Sequence, residues 1–238
     1  MAQGGPPLLT DDPGTPGNGQ WEINFLATVE YSRDGSVFEA PLIDINYGLG
    51  DHLQLKFEAP WVTTKEPDLL RKSGLGNSMI GLKWRFLDRE RHGVDMSIYP
   101  QLEFNNPTAS VARGLADRGM RLLLPVELVK RVGPVDLNGE IGYRIVRRGL
   151  DELEYGLAVS RQLAPRFALL AEVHGSALRT FRADELVINA GSRWRVGRNA
   201  ALLFSAGRTI RQPNGEAPHF LGTVGLQVTF SNRVFTSP

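Results

Sequence analysis

The sequence predicts an all-β fold, a transmembrane antiparallel β-barrel of about twelve strands with an apolar outside and a polar inside. Three observations predict it. Runs of about ten residues alternate apolar and polar with a period of two. These runs recur roughly every 17–20 residues, the length of a membrane-crossing strand plus its turn. No run of 18 apolar residues exists, so a helical span is excluded.

The first strand sets Trp21, Ile23, Phe25, Ala27, Val29 and Tyr31 on one face. Glu22, Asn24, Thr28 and Glu30 share the other, with Leu26 the exception. A second follows at about 37–47. The third opposes Leu53, Leu55, Phe57, Ala59 and Trp61 to His52, Gln54, Lys56 and Glu58. The fourth is expected at 78–87. The fifth opposes Val94, Met96, Ile98, Leu102 and Phe104 to Asp95, Ser97, Tyr99, Gln101, Glu103 and Asn105. The sixth is expected at 120–130. The seventh opposes Val135, Leu137, Ile141, Tyr143 and Ile145 to Asp136, Asn138, Glu140 and Arg144. Four more are expected at 152–162, 167–178, 185–195 and 200–210. The last opposes Phe220, Val224, Leu226, Val228 and Phe230 to Thr223, Gln227 and Thr229. Twelve is an even number, as bacterial single-chain barrels require.

The connections alternate in length. With residue 20 at the periplasm, Gly48–Asp51, Arg131–Pro134, Ala164–Arg166 and Val196–Asn199 are short periplasmic turns, and Asp88–Gly93 is slightly longer. The longer extracellular loops are expected at Thr63–Asn77 and Asn106–Gly119, with the tight Asp34-Gly35 hairpin an exception on that side. The first 19 residues are rich in Pro and Gly and read as an extended tail that can enter the lumen. The barrel is expected over 20–231 and a C-terminal tail over 232–238. Met1 is followed at once by Ala2 to Pro7, which reads as a mature N-terminus, its signal peptide removed and a start methionine added.

Alternation alone does not say which face is wet, since a lipocalin-like barrel puts its apolar residues inside. Three features favour the inverted arrangement: strand length, tryptophan placement and charge. Trp21, Trp61, Trp84 and Trp194 all fall on the apolar face near strand ends, as an aromatic girdle at headgroup level does. Opposite charges recur on the polar faces of neighbouring strands. Lys56 and Glu58 are expected to meet Lys83 and Arg85, and Glu103 to meet Arg121. Formal net charge is only +1, which argues against nucleic acid. The chain has no cysteine, which excludes a disulfide scaffold and thiolate metal sites. Four scattered histidines show no metal-ligand spacing, and no phosphate-binding glycine loop is present, so no cofactor is expected.

Several segments, taken in order, resemble a known family. They are Pro6 to Gly17, Trp21-Glu22-Ile23-Asn24, Glu39-Ala40-Pro41-Leu42, Asn46 to Asp51, and Gly74 to Ser78. Lys83 to Leu87, Tyr99 to Asn105 and Glu172-Val173-His174-Gly175 complete the set. Over about residues 6–230 the chain resembles the MetA-pathway-of-phenol-degradation family of outer-membrane proteins. The resemblance implies an outer-membrane barrel, a channel linked to uptake of aromatic or other apolar compounds. The chain departs from the usual pattern at its end, where Phe230 is followed by Ser231 to Pro238, so the assembly signal falls on Phe230 or Phe235.

The candidate site is the lumen: Glu22, Asp44, Lys56, Glu58, Lys83, Arg85, Asp95, Glu103, Arg121, Glu127, Asp136, Glu140, Arg144, Glu172, His174 and Arg193. Rings of charge tune a pore, whereas a paired network plugs it, and a twelve-strand barrel lies between the filled and aqueous regimes. Pro41, Pro60, Pro100 and Pro125 mark bulges or gaps in the wall, because proline lacks the donor that a ladder needs. Such a gap is either a lateral opening or a bulge that bends the strand. His174 and Ser176, with Glu172 alongside, match the His-x-Ser pair of outer-membrane lipid hydrolases, but His174 is expected to point into the lumen. The leading expectation is therefore not an enzyme. It is a bacterial outer-membrane channel for passive passage of small, aromatic or apolar molecules. A closed structural barrel is the second reading and a lipid hydrolase the third. The expected partners are the lipid bilayer or detergent, a small solute and the outer-membrane assembly machinery, with no nucleic acid.

Overall fold

Aromatic and β-branched residues at every second position suit a pleated surface with one apolar face, and they build long strands here. The computed structural model describes residues 5–178, 184–212 and 218–231. The expected C-terminal tail at 232–238 lies outside the described residues. The strands are β1 (Gln20–Tyr31), β2 (Ser36–Leu49), β3 (Leu53–Lys65), β4 (Lys72–Leu75), β5 (Ser78–Leu87), β6 (Asp95–Ile98) and β7 (Gln101–Phe104). They continue as β8 (Arg121–Val132), β9 (Val135–Val146), β10 (Glu152–Ala164), β11 (Phe167–Leu178), β12 (Asp184–Arg195), β13 (Ala200–Arg211) and β14 (Phe220–Ser231). Among the described residues the one helix is a single turn, α1 (Arg89–His92).

β4 and β5 together make one wall strand against β3, and β6 and β7 make one between β5 and β8. The wall therefore has twelve antiparallel strands, and β1 closes it against β14 from Gln20↔Ser231 to Tyr31↔Phe220. Closure is what a membrane demands, because an open sheet edge would leave donors and acceptors unpaired in hydrocarbon.

Burial is inverted relative to a water-soluble barrel. Phe57, Trp84, Ile141, Leu157 and Val224 are exposed, whereas Asn24, Asp44, Lys83 and Glu127 are at most 1% exposed. Leu26, the exception to the alternation of β1, points inward and packs with Leu42 and Leu203. Two aromatic groups mark the ends of β1: Trp21 with Tyr47 (4.6 Å) and Phe230 (6.2 Å), and Tyr31 with Phe38 (5.8 Å) and Phe220 (6.2 Å). Ten residues of tilted strand separate them, about 25 Å along the barrel axis, the height of an apolar membrane band. Trp84 and Trp194 lie towards the same end as Trp21, paired with Leu53 and Phe167, while Trp61 pairs with Leu75 in the other half.

One expectation needs correction. Thr63–Asn77 is not a loop: β3 runs to Lys65 and β4 returns from Lys72, leaving only 66–71 between them. β-Branched Thr63 and Thr64 carry the pairing beyond the membrane band, where alternation is no longer demanded.

The ladder is irregular at each proline. The β2–β3 register shifts between Glu39 and Leu42, around Pro41. Pro60 stands beside the break between β4 and β5, and its carbonyl accepts from Gly76 N at 2.9 Å. Pro100 separates β6 from β7 and accepts from Leu82 N at 3.0 Å, while Pro125 accepts from Tyr99 N at 3.1 Å. Tyr99 is fully buried and lies on Gly81, where a Cβ would come within 2.8 Å of its ring. The break between β6 and β7 is thus filled from the lumen side.

Candidate functional site

The inward faces of the strands carry a connected polar lining. On β1 to β3, Asn24 and Asn46 each donate to Asp44 at 3.0 Å, and Gln54 donates to Asn46 at 2.7 Å. Asn24 also reaches Glu22 at 3.3 Å. Lys56 pairs with Glu58 (3.0 Å) and Asp44 (3.6 Å). Lys83 pairs with Glu127 (3.2 Å), whose other contact is the Ser97 hydroxyl (2.5 Å), and lies 4.3 Å from the Tyr99 ring centre. Glu103 sits between Arg121 (3.5 Å) and Arg144 (3.6 Å), and Arg144 Nε donates to Glu154 at 2.5 Å. Arg85 pairs with Asp88 (3.1 Å) near the short-turn end. Buried charges persist only when paired and hydrogen-bonded in this way.

The Glu103–Arg121 pair is the one expected from the sequence. The expected meeting of Lys56 and Glu58 with Lys83 and Arg85 is replaced by other partners, for a reason of register. Lys56 faces Gly81, Glu58 faces Met79, and Lys83 faces Gln54 across β3–β5.

Residues 5–14 lie against this inner lining. Leu9 N and Thr10 N both donate to the Glu172 carboxylate at 2.8 Å, and Asp11 N donates to Glu140 at 2.7 Å. Asn138 donates to Asp11 O at 2.6 Å, Arg193 to Pro6 O at 2.8 Å and Ser205 to Pro7 O at 2.8 Å. Lys83 Nζ reaches the Asp11 carboxylate at 2.9 Å and the Asp12 carbonyl. Thr10 and Pro13 are fully buried, and Leu8 packs on Ala158 and Leu170. Burial alone would raise the Asp11 carboxyl, but the Lys83 and Lys56 ammonium groups outweigh it and hold Asp11 below its ordinary value.

Glu172, Glu140, Lys83 and Arg193 were candidates as lumen charges. Their shared role as docking points for one segment was not legible, nor were the parts played by Asn138, Ser205 and Thr10. One signal was available: Asp11 and Asp12 are the only charged side chains among the first 19 residues. Two acids in an otherwise uncharged segment match a lumen that offers lysines and arginines.

Beside residues 5–9 and Asp11 a cavity of about 350 Å³ remains, bordered by Leu26, Leu42, Leu123, Leu221 and Met79 as well as by Glu30, Glu39, Glu58, Lys56, Arg144, Glu154 and His174. His174 and Ser176 lie on the inward face of β11, whose outward residues Leu169 and Val173 are exposed. That orientation turns the pair away from lipid and removes the geometric basis for a lipid hydrolase.

No family model matches the chain, and no curated protein matches it in sequence. Solved structures do match. The COG4313 outer membrane channel from Pseudomonas putida F1 aligns with a TM-score of 0.68 at 15% identity, over 96% of this chain and 100% of that one. The KdgM porin aligns with a TM-score of 0.63 at 9% identity, over 88% and 99%. The NanC porin aligns with a TM-score of 0.60 at 10% identity, over 88% and 100%. At these identities the likeness establishes the fold: an outer-membrane type of β-barrel shared with known channels.

Proposed function

We propose that this chain is a bacterial outer-membrane channel for passive passage of small molecules, narrowed from inside by its own N-terminal segment. The basis is the half-open cavity of about 350 Å³ between the charged wall and residues 5–9 with Asp11. A barrel needed only as a scaffold would fill that space with side chains, as smaller barrels do.

The cavity wall favours a class of solute. Glu30, Glu39, Glu58, Glu154 and Asp11 face Lys56 and Arg144 around it. An acidic lining favours neutral or cationic solutes over anions. Leu26, Leu42, Leu123, Leu221 and Met79 add apolar surface for an aromatic or aliphatic body. An aromatic or apolar solute is also what the resemblance read from the sequence segments implies, though no family model matches the chain. An anionic polymer, such as the oligogalacturonate found with the KdgM porin, is a poor match.

Planar-bilayer recordings test the proposal. The full chain and a chain lacking residues 1–19 are compared in a salt gradient. The expected result is a small, cation-selective conductance that grows on deletion. If both chains insert as folded barrels and neither conducts, the channel reading fails and a closed structural barrel is left.

A further inference from the structure

Three neighbouring strands bring two carboxylates and an imidazole together. Glu140 of β9 and His174 of β11 both stand level with Gly156 of β10, one on each side. Glu154 projects inward from β10 two residues earlier. One carboxylate oxygen from each glutamate and one ring nitrogen of His174 all lie within 4.8 Å of one another. A metal ion with bonds of about 2.1 Å holds tetrahedral ligands about 3.4 Å apart, so side-chain shifts of about an ångström close the set.

The outer hydrogen bonds of such a site are already in place. Asp11 N holds Glu140 Oε2 at 2.7 Å, and Arg144 holds Glu154 Oε1. Each carboxylate therefore keeps one oxygen without a hydrogen bond among the described residues. Gly156, between Glu140 and His174, has no side chain, and Thr10 packs into the space this leaves. A Cβ there would lie 2.4 Å from Thr10 Oγ1. Thr10 is fully buried, and its hydroxyl has no hydrogen-bond partner among the described residues. An orphaned buried hydroxyl beside these three side chains is unexplained by the fold. The cavity reaches both Glu154 and His174 and supplies an entry path.

We propose that Glu140, Glu154 and His174, with the Thr10 hydroxyl beside them, bind a divalent transition-metal ion. One imidazole with two carboxylates suits Zn²⁺, Mn²⁺ or Fe²⁺ better than the all-oxygen preference of Mg²⁺ or Ca²⁺. The ion would fasten the N-terminal segment to three wall strands, a role independent of whether the barrel conducts.

The test is calorimetric titration of the full refolded chain in detergent with Zn²⁺. The expected result is one saturable site per chain. His174→Ala and Glu154→Gln should each weaken it by about tenfold or more, while joint replacement of His52, His92 and His219 leaves it unchanged. A second readout needs no variant: Zn²⁺ should slow carbethoxylation of His174, mapped by peptide mass, and leave the other three histidines as reactive as before. No saturable binding by the folded chain, equal binding by the His174→Ala barrel, or unprotected His174 overturns the proposal. Neither readout measures conductance, so failure of the channel reading and failure of the metal site are separate results.

Discussion

Glu172→Gln should loosen the N-terminal segment without unfolding the barrel. The Glu172 carboxylate accepts Leu9 N and Thr10 N at 2.8 Å each, and Asn189 Nδ2 at 3.0 Å. A glutamine keeps one acceptor oxygen and turns an NH₂ group towards a donor. One charge-assisted bond is lost, about 1.5–3 kcal/mol. A loss of about 2 kcal/mol raises the undocked fraction about 30-fold. The chain has no cysteine, so Leu8→Cys provides a single reporter thiol at a position only 6% exposed. Labelling by a membrane-impermeant thiol reagent then follows the undocked population whenever docking is fast compared with labelling. The expected rate in liposomes is about 30 times higher with Glu172→Gln than without it, and unchanged with Glu66→Gln in the 66–71 loop. Rates within about twofold of one another would refute the role of Glu172 as a docking point for this segment.

Other outcomes follow from the same geometry. Lys83→Met leaves Glu127 and Asp11 without their shared cation and should destabilise the barrel by about 3–5 kcal/mol. Adding Glu127→Gln should recover part of that loss, as read from denaturant midpoints in detergent. Gly156→Ala places a methyl 2.4 Å from Thr10 Oγ1, so it should speed labelling of the Leu8→Cys reporter while heat-modifiable gel mobility stays that of a folded barrel. Asp11 is held below its ordinary value, so its contribution to docking is fully present above the unfolded carboxylate pKa and is lost as pH falls through the folded one. Labelling should therefore be flat from pH 7 down to about 5 and rise below about 4. A rise confined to pH above 6 would contradict the Lys83–Asp11 pairing. Limited trypsin digestion should cut at Arg71 or Arg113, in exposed connections, and spare Lys56 and Lys83; early cutting at either lysine would contradict the strand placement.

The strands were legible because a membrane wall imposes one rule on every residue. The fourth strand, expected at 78–87, is β5 to the residue, and 167–178 is β11 to the residue. The rule weakens where the wall leaves the apolar band. That is why the extension of β3 through Thr63 to Lys65 and the short β4 read as a loop. The lumen charges were visible as inward positions, but their partners depend on strand register, which alternation does not encode: Lys56 meets a glycine across the sheet and turns to its own strand neighbour, Glu58. Docking of residues 5–14 was the least legible part. It rests largely on backbone amides and carbonyls, which every residue owns and no sequence pattern marks.

The seam between β1 and β14 has a kinetic consequence. It joins the first wall strand to the last over twelve residues of each, contacts of nearly the greatest sequence separation this chain permits. Ring closure of that kind is entropically late. Until it happens, two long strand edges stand open, and each can pair with another copy as readily as with the other end of its own chain. The final step of folding is therefore a contest between cyclisation and chain-to-chain pairing. Dilution should favour closure, and the yield of closed barrels should fall with protein concentration even where the rate of strand formation does not.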